Sequence, residues 1–263
     1  MAEYSEPLAA RMARIPWIFT KKNMSWKGMS HNQWKIRSWL ANAIIVQNTD
    51  MVKHFYPDKK NIHLVPRGVD TLKFKKSQEH AMLLEKKVTE EKRIIITVAN
   101  LVPVKGVEDI IEAFSLVNGK YVNWELWILG DTELDSHYTA KLKNLSMKLG
   151  LEDEIVFLGK MNDIRPYLGR SELFVLPTRN EGRREGSPVA MLEAMAAGLV
   201  VFGSNVPGIT DQLSNFNPHL FQPSNPQGLA NVLEPFLANS REENRRKGQV
   251  FQGFTKEKFN VST

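Results

Sequence analysis

The 263-residue sequence contains no cysteine. That excludes a disulfide framework, a Cys-ligated zinc site, an iron–sulfur cluster and a thiol nucleophile together, and it favours an intracellular compartment. No apolar run reaches the roughly 18–20 residues needed to span a bilayer. The start, Met1 to Phe19, lacks the apolar centre and cleavage site of a signal peptide, so the expectation is a protein neither exported nor integral to a membrane. Neither Gly-x-Gly-x-x-Gly after the first strand nor Gly-x4-Gly-Lys-Ser/Thr occurs, which argues against a dinucleotide-dependent oxidoreductase and a P-loop enzyme. Tandem repeats and low-complexity tracts are also absent. With 42% hydrophobic and 24% charged residues, the chain has the composition of a globular protein, not of a disordered or fibrous one.

Charge is present but unevenly spread. The net charge is +6, and residues 1–60 carry ten Lys/Arg against four Asp/Glu, while residues 61–263 carry 25 against 25. Four of the six tryptophans, Trp17, Trp26, Trp34 and Trp39, lie in the same basic quarter. Two readings stay open. The segment meets a membrane surface or an anionic partner, or its tryptophans are core or interface residues and its charges a solvated face. The neutral remainder argues against a nucleic-acid partner.

β-Branched apolar runs alternate with amphipathic stretches, the pattern of a parallel sheet covered by helices. The spacing predicts strands at Trp17–Thr20, Ala43–Gln47 and Ile62–Val65, with helices over Gln33–Leu40 and Asp50–Phe55. A charged stretch from Lys73 to Arg93, with a helix-like piece at His80–Lys87, reads as an interdomain connection. A second series follows, with strands at Ile94–Ala99, Glu125–Leu129, Ile155–Leu158, Leu173–Leu176, Leu199–Phe202 and Leu220–Phe221. Helices are predicted at Val107–Val117, Ser136–Leu149, Ile164–Leu168, Pro188–Ala197 and from Pro226. Six strands make a complete doubly wound domain, whereas the three before residue 70 do not. The expected organisation is α/β: residues 1–72 a partial Rossmann-like domain, 73–93 a connection, and 94–263 a Rossmann-like, doubly wound parallel sheet.

The most informative stretch runs from Glu181 to Gly198 and follows the buried-looking strand Phe174 to Pro177. Ser187 can cap the helix, Pro188 suits its first turn, and Gly198 can close it in the left-handed conformation. A helix N-terminus at the carboxyl end of a parallel strand is where open α/β sheets bind ligands, and its free N–H groups favour phosphate. Glu185 precedes this helix and Glu193 lies within it. Two carboxylates beside a phosphate site are explained if they accept hydrogen bonds from sugar hydroxyls, and a nucleotide-sugar has both groups. Two glutamates eight positions apart also arise readily by chance. Met191, Leu192 and Met195 read as the packing face. Lys105, in the turn after the first strand of the complete domain, can meet a diphosphate, or is a solvated surface lysine.

Taken in order, several stretches resemble the GT-B fold glycosyltransferases of family 4, within the glycosyl transferases group 1. They are Ile62 to Asp70 with Phe74, Asn100-Leu-Val-Pro-Val-Lys-Gly106, Leu129-Gly-Asp131, Val156-Phe-Leu-Gly159, Leu173 to Pro177, Glu185 to Gly198 and Val206-Pro-Gly-Ile209. The resemblance implies a retaining transfer of a sugar from a nucleotide-diphosphate sugar, a UDP- or GDP-sugar, to a glycan or lipid-linked acceptor hydroxyl. It assigns Glu185 to the donor sugar, Glu193 to the ribose and Lys105 to the diphosphate. Glu185 and Lys105 stand as the catalytic pair. Gly186, Ser187, Pro188 and Val189 would offer backbone amides, Gly159, Lys160 and Met161 a turn facing the base, and Asn100 a further donor contact. It implies no metal and no cofactor, in keeping with the absence of Asp-x-Asp.

Two positions depart from the family pattern. Asn100 stands where many members have an arginine beside the diphosphate, and Lys22, in Thr20-Lys21-Lys22, where a histidine is common. No catalytic role is carried over to Lys22, and His31 and His63 have no motif support. Length departs as well, since two full domains need about 300–400 residues. The start of the first domain is expected to be missing, and Phe254 to Phe259 resembles the beginning of a last helix. The implied setting is cytoplasmic, peripheral at the inner membrane face, with self-association through the incomplete domain. A truncated, non-catalytic nucleotide-sugar binding module is the alternative.

Overall fold

The computed structural model describes residues 5–22, 24, 31–75, 92–181 and 186–261. The helix-like piece at 80–87, Trp26 and Glu185 therefore lie outside the described residues.

The first part opens with helix α1 (Ser5–Met12), then β1 (Ile18–Lys21), α2 (His31–Leu40), β2 (Ala43–Val46), α3 (Thr49–Phe55), β3 (Ile62–Leu64) and the short α4 (Thr71–Lys75). Its strands form a parallel three-stranded sheet in the order β1-β2-β3, with Ile18 opposite Ala43 and Ile44 opposite Ile62. Ile44, Val46, Met51 and Phe55 fill a small core with Phe19 and Trp34. Trp34 is buried and donates from its indole to the Tyr56 hydroxyl at 2.9 Å. Trp39 is 71% exposed, with the Arg11 guanidinium 5.3 Å from its ring centroid. Trp34 is thus a core residue, as the second reading expects, and Trp39 is not.

The second part contains β4 (Arg93–Val98), α5 (Val107–Asn118), β5 (Trp124–Leu129), α6 (Ser136–Lys148), β6 (Ile155–Gly159), α7 (Arg165–Arg170) and β7 (Leu173–Leu176). It continues with α8 (Val189–Ala196), β8 (Val200–Ser204), α9 (Ile209–Gln212), β9 (Leu220–Phe221), α10 (Pro226–Ala238) and α11 (Arg241–Lys258). Its six strands are parallel in the order β6-β5-β4-β7-β8-β9. This is the doubly wound Rossmann-like order, which reverses between β4 and β7. Ile94, Ile95 and Ile96 are fully buried, as are Leu173, Phe174 and Val175, because helices cover both faces of such a sheet. Met191, Leu192 and Met195 of α8 are fully buried too.

The end of the chain corrects one expectation. Phe254 to Lys258 closes an 18-residue helix instead of beginning one. Ser240 and Glu243 form a capping box that starts α11 earlier, and Phe251 and Thr255 are buried along it. Beyond α11 the chain reaches the first part. The Val69 amide donates to the Phe259 carbonyl at 2.8 Å, and the Val261 amide to the Val69 carbonyl at 3.1 Å. Among the described residues no helix is long and apolar enough to cross a membrane.

Candidate functional site

The carboxyl ends of the two sheets face each other across a cavity of about 960 Å³. From the first sheet come Lys22, directly after β1, Gln47, directly after β2, and Arg67, three residues after β3. From the second come Val98 at the end of β4 with Ala99 and Asn100 after it, Gly130 and Asp131 after β5, Lys160 and Met161 after β6, and Leu176 at the end of β7. β4 and β7 flank the point where the strand order reverses, the usual ligand crevice of an open α/β sheet.

Residues Gly186 to Ala190 lead into α8 and line the same cavity. The N-cap of α8 is Pro188 and no side chain caps it, so the expected Ser187 cap does not form and the first amides and positive dipole end of α8 are left without a capping oxygen beside the crevice. Opposite lies the turn of Pro103–Lys105. It ends at Gly106, whose φ of +62° is left-handed and where a Cβ would lie 2.2 Å from the Pro177 carbonyl oxygen. Only glycine fits there, and the turn places Lys105 on the cavity wall.

The sequence-derived candidates are largely brought together. Asn100, Lys105, Lys160, Met161, Gly186, Ser187, Pro188 and Val189 all line the cavity. Lys160 pairs with Asp131 at 3.2 Å, and the Met161 sulfur accepts from the Tyr167 hydroxyl at 3.2 Å. Gly159 takes a φ of +74° at the end of β6 and accepts from the Gly130 amide at 3.0 Å, just behind the wall. Glu193 is outside the lining, one side of α8 away, and partly buried. Burial raises its carboxyl above the usual range, while the Lys73 ammonium on α4 opposes the shift.

Sequence reasoning missed Arg67 and Gln47 and left Lys22 without a role. The signal was available in the position of each just beyond a strand's carboxyl end. The result is a cavity lined by basic residues from both parts of the chain, Lys22 and Arg67 from the first and Lys105 and Lys160 from the second. Such a crevice attracts a polyanion and places hydrogen-bond donors where negative charge sits.

A family model described as "Glycosyl transferases group 1" matches residues 81–250. Among curated relatives, the N-acetyl-alpha-D-glucosaminyl L-malate synthase of Bacillus anthracis is 26% identical over 226 residues, covering 84% of this chain and 56% of that protein. The UDP-Gal:alpha-D-GlcNAc-diphosphoundecaprenol alpha-1,3-galactosyltransferase of Escherichia coli is 28% identical over 246 residues, 86% of this chain and 61% of that one. Anabaena HepE, solved in complex with UDP and glucose, superposes with a TM-score of 0.83 at 19% identity, over 98% of this chain and 72% of that chain. The chain spans about half the length of the curated relatives it matches. Since the family match extends over well more than half of its residues, the chain belongs to the glycosyl transferases group 1 and carries a GT-B type of architecture.

Proposed function

We propose that this chain binds a nucleotide-diphosphate sugar, a UDP- or GDP-sugar, in the cavity between its two sheets and transfers the sugar with retention to an acceptor hydroxyl, as in family 4. The observation that carries this reading is the meeting of Lys105 with the α8 N-terminus at the strand-order reversal, faced by Lys22 and Arg67. A diphosphate placed there meets an ammonium and helix amides at once.

In such a transfer the bond from the sugar to the diphosphate is largely broken in the transition state, and negative charge grows on the leaving group. Donors already fixed in place stabilise that charge without reorganising. Lys105 and the Gly186–Val189 backbone hold those positions, so no metal is required. Asn100, Lys160 and Met161 complete the donor contacts, Glu185 meets the donor sugar and orients its reacting carbon, and Glu193, outside the lining of the cavity, is the carboxylate assigned to the ribose. The acceptor is a glycan or lipid-linked hydroxyl. The setting is cytoplasmic, peripheral at the inner membrane face, and the exposed Trp39 beside Arg11 supports contact with an anionic surface.

One feature favours a second reading, a non-catalytic nucleotide-sugar binding module. Among the described residues β1 pairs only with β2, and Ile18 on that edge strand is 57% exposed, near the exposed Met12 and Ile15. An open edge of this kind takes up another strand, from a partner or a second copy. A product assay with UDP- and GDP-sugars and lipid-linked acceptors, run beside light scattering, separates the two. Acceptor-dependent product from a monodisperse monomer supports the transferase. Tight donor binding without product, in an associated species, supports the module.

A further inference from the structure

The loop of residues 186–188, which leads into α8, is held from both parts of the chain, by Asn48 and Arg67 of the first and Gln212 of the second. Asn48, fully buried, divides its side chain between two tasks. Its Oδ1 accepts the Met51 amide at 2.8 Å and caps α3, while its Nδ2 donates to the Gly186 carbonyl at 2.7 Å. The adjacent Thr49 donates to both oxygens of Asp211, from its amide at 2.6 Å and its hydroxyl at 2.7 Å.

Asp211 sits on α9 beside Gln212, and Gln212 Nε2 donates to Ser187 Oγ at 3.0 Å and to the Pro188 carbonyl at 3.2 Å. The Arg67 amide, from the first part, also donates to Ser187 Oγ, at 3.3 Å. The fit leaves no room. A Cβ on Gly186 would lie 2.1 Å from the Lys22 carbonyl oxygen and 2.7 Å from Gln47 Oε1, and one on Gly208 would lie 2.4 Å from the Gly186 carbonyl oxygen.

General packing of two domains does not require this pattern. The contacts are directional, and they converge on the backbone carbonyl and hydroxyl that immediately precede the cavity-facing amides of α8. They also differ in exposure. The Asn48 bond is buried, whereas Thr49 and Asp211 meet where solvent reaches them. A buried bond fixes the loop, and a solvent-accessible pair can open and reclose.

We propose that Asn48 is a positioning residue for the donor loop and that Thr49 and Asp211 are its latch, so that the α8 amides adopt their binding geometry only when the first sheet is closed on the second. This rests on the donor-site reading above. A ligand that contacts the ordered loop then favours closure, and closure favours the ligand by the same factor.

Asn48→Asp tests this directly in the 263-residue chain. Aspartate still caps α3 but sets a carboxylate against the Gly186 carbonyl. Hydrogen exchange at the Ser187, Val189 and Ala190 amides is followed without ligand, UDP and GDP affinity by calorimetry, and the thermal midpoint as a control. Loss of the bond is expected to speed exchange at these amides by about tenfold and to weaken nucleotide binding by about tenfold, with exchange in β4 and β5 unchanged. Asp211→Asn and Thr49→Val, at the exposed latch, give smaller changes of the same sign, and Thr49→Ser restores the wild-type values. If Asn48→Asp does not fold, Asp211→Asn carries the test. Unchanged exchange at 187–190 in the folded variants overturns the proposal. Faster exchange in a protein whose wild type binds neither nucleotide upholds the latch and removes the donor reading.

Discussion

Arg179 grips Asp109 with two donors, Nη2 at 2.6 Å and Nε at 3.3 Å, and its own amide donates to the Val104 carbonyl at 2.9 Å. One residue thereby joins the segment after β7, the start of α5 and the turn that carries Lys105. Asp109 and its neighbour Glu108 are both buried, and the carboxylates hold the guanidinium above its ordinary range, Asp109 foremost by direct hydrogen bonding. Removing the cation leaves the buried Asp109 carboxylate without it, a loss of about 1–3 kcal/mol once the solvent that reaches Arg179 is allowed for. Arg179→Met is therefore expected to lower the denaturant midpoint of the chain, and Arg179→Lys to recover part of it.

A different group sets the response to acid. His219 is packed among Phe202, Phe216, Phe236 and Phe251, and burial pushes its imidazole down to about 4. The unfolded chain binds a proton near the ordinary value of 6.5, so the native state binds fewer protons between these limits. Stability is full above pH 6.5 and falls as pH drops toward about 4, by ~1–3 kcal/mol. His219→Gln removes this slope. Thermal midpoints at pH 7 and pH 4.5 should differ less in the variant than in the wild type.

The two first-domain cations give a prediction about salt. Lys22 and Arg67 line the cavity from an exposed position, where each charge contributes only about 0.2–1 kcal/mol. Lys22→Met and Arg67→Met should each weaken UDP binding roughly two- to fivefold at low ionic strength. The difference from wild type should vanish near 1 M salt, where the screening length is about 3 Å. Binding of uridine, which lacks the phosphates, should be unaffected.

Much of the fold is legible before any coordinates. Among the described residues, all nine strands lie within a residue or two of where β-branched runs place them, because strands buried on both faces leave an unbroken apolar signal. α9 has only four residues and α4 five, too short for a helical period to register. α11 is hidden for another reason. It is polar along most of its length, with its apolar contacts confined to a few residues such as Phe251, so its start is announced only by Ser240 and Glu243.

The site is legible by half. Lys105 and the Gly186–Val189 stretch follow strand ends of the six-stranded sheet, where position alone points to a ligand. Gln47 and Arg67 are marked by their position after strand ends, but the contribution of Asn48 depends on how the first sheet meets the second, since it reaches Gly186 across 138 positions of sequence. No local pattern encodes such a contact.

In the proposed function, the cavity between the sheets receives the diphosphate of a nucleotide-sugar on Lys105. The most direct measurement is saturation-transfer NMR of UDP- and GDP-sugars with the wild-type chain, followed by titration of Lys105→Met. At least one donor should bind, and the variant should bind it about 10- to 100-fold more weakly while keeping its fold by circular dichroism. A folded wild type that binds neither donor, or a Lys105→Met variant with unchanged affinity, contradicts the account.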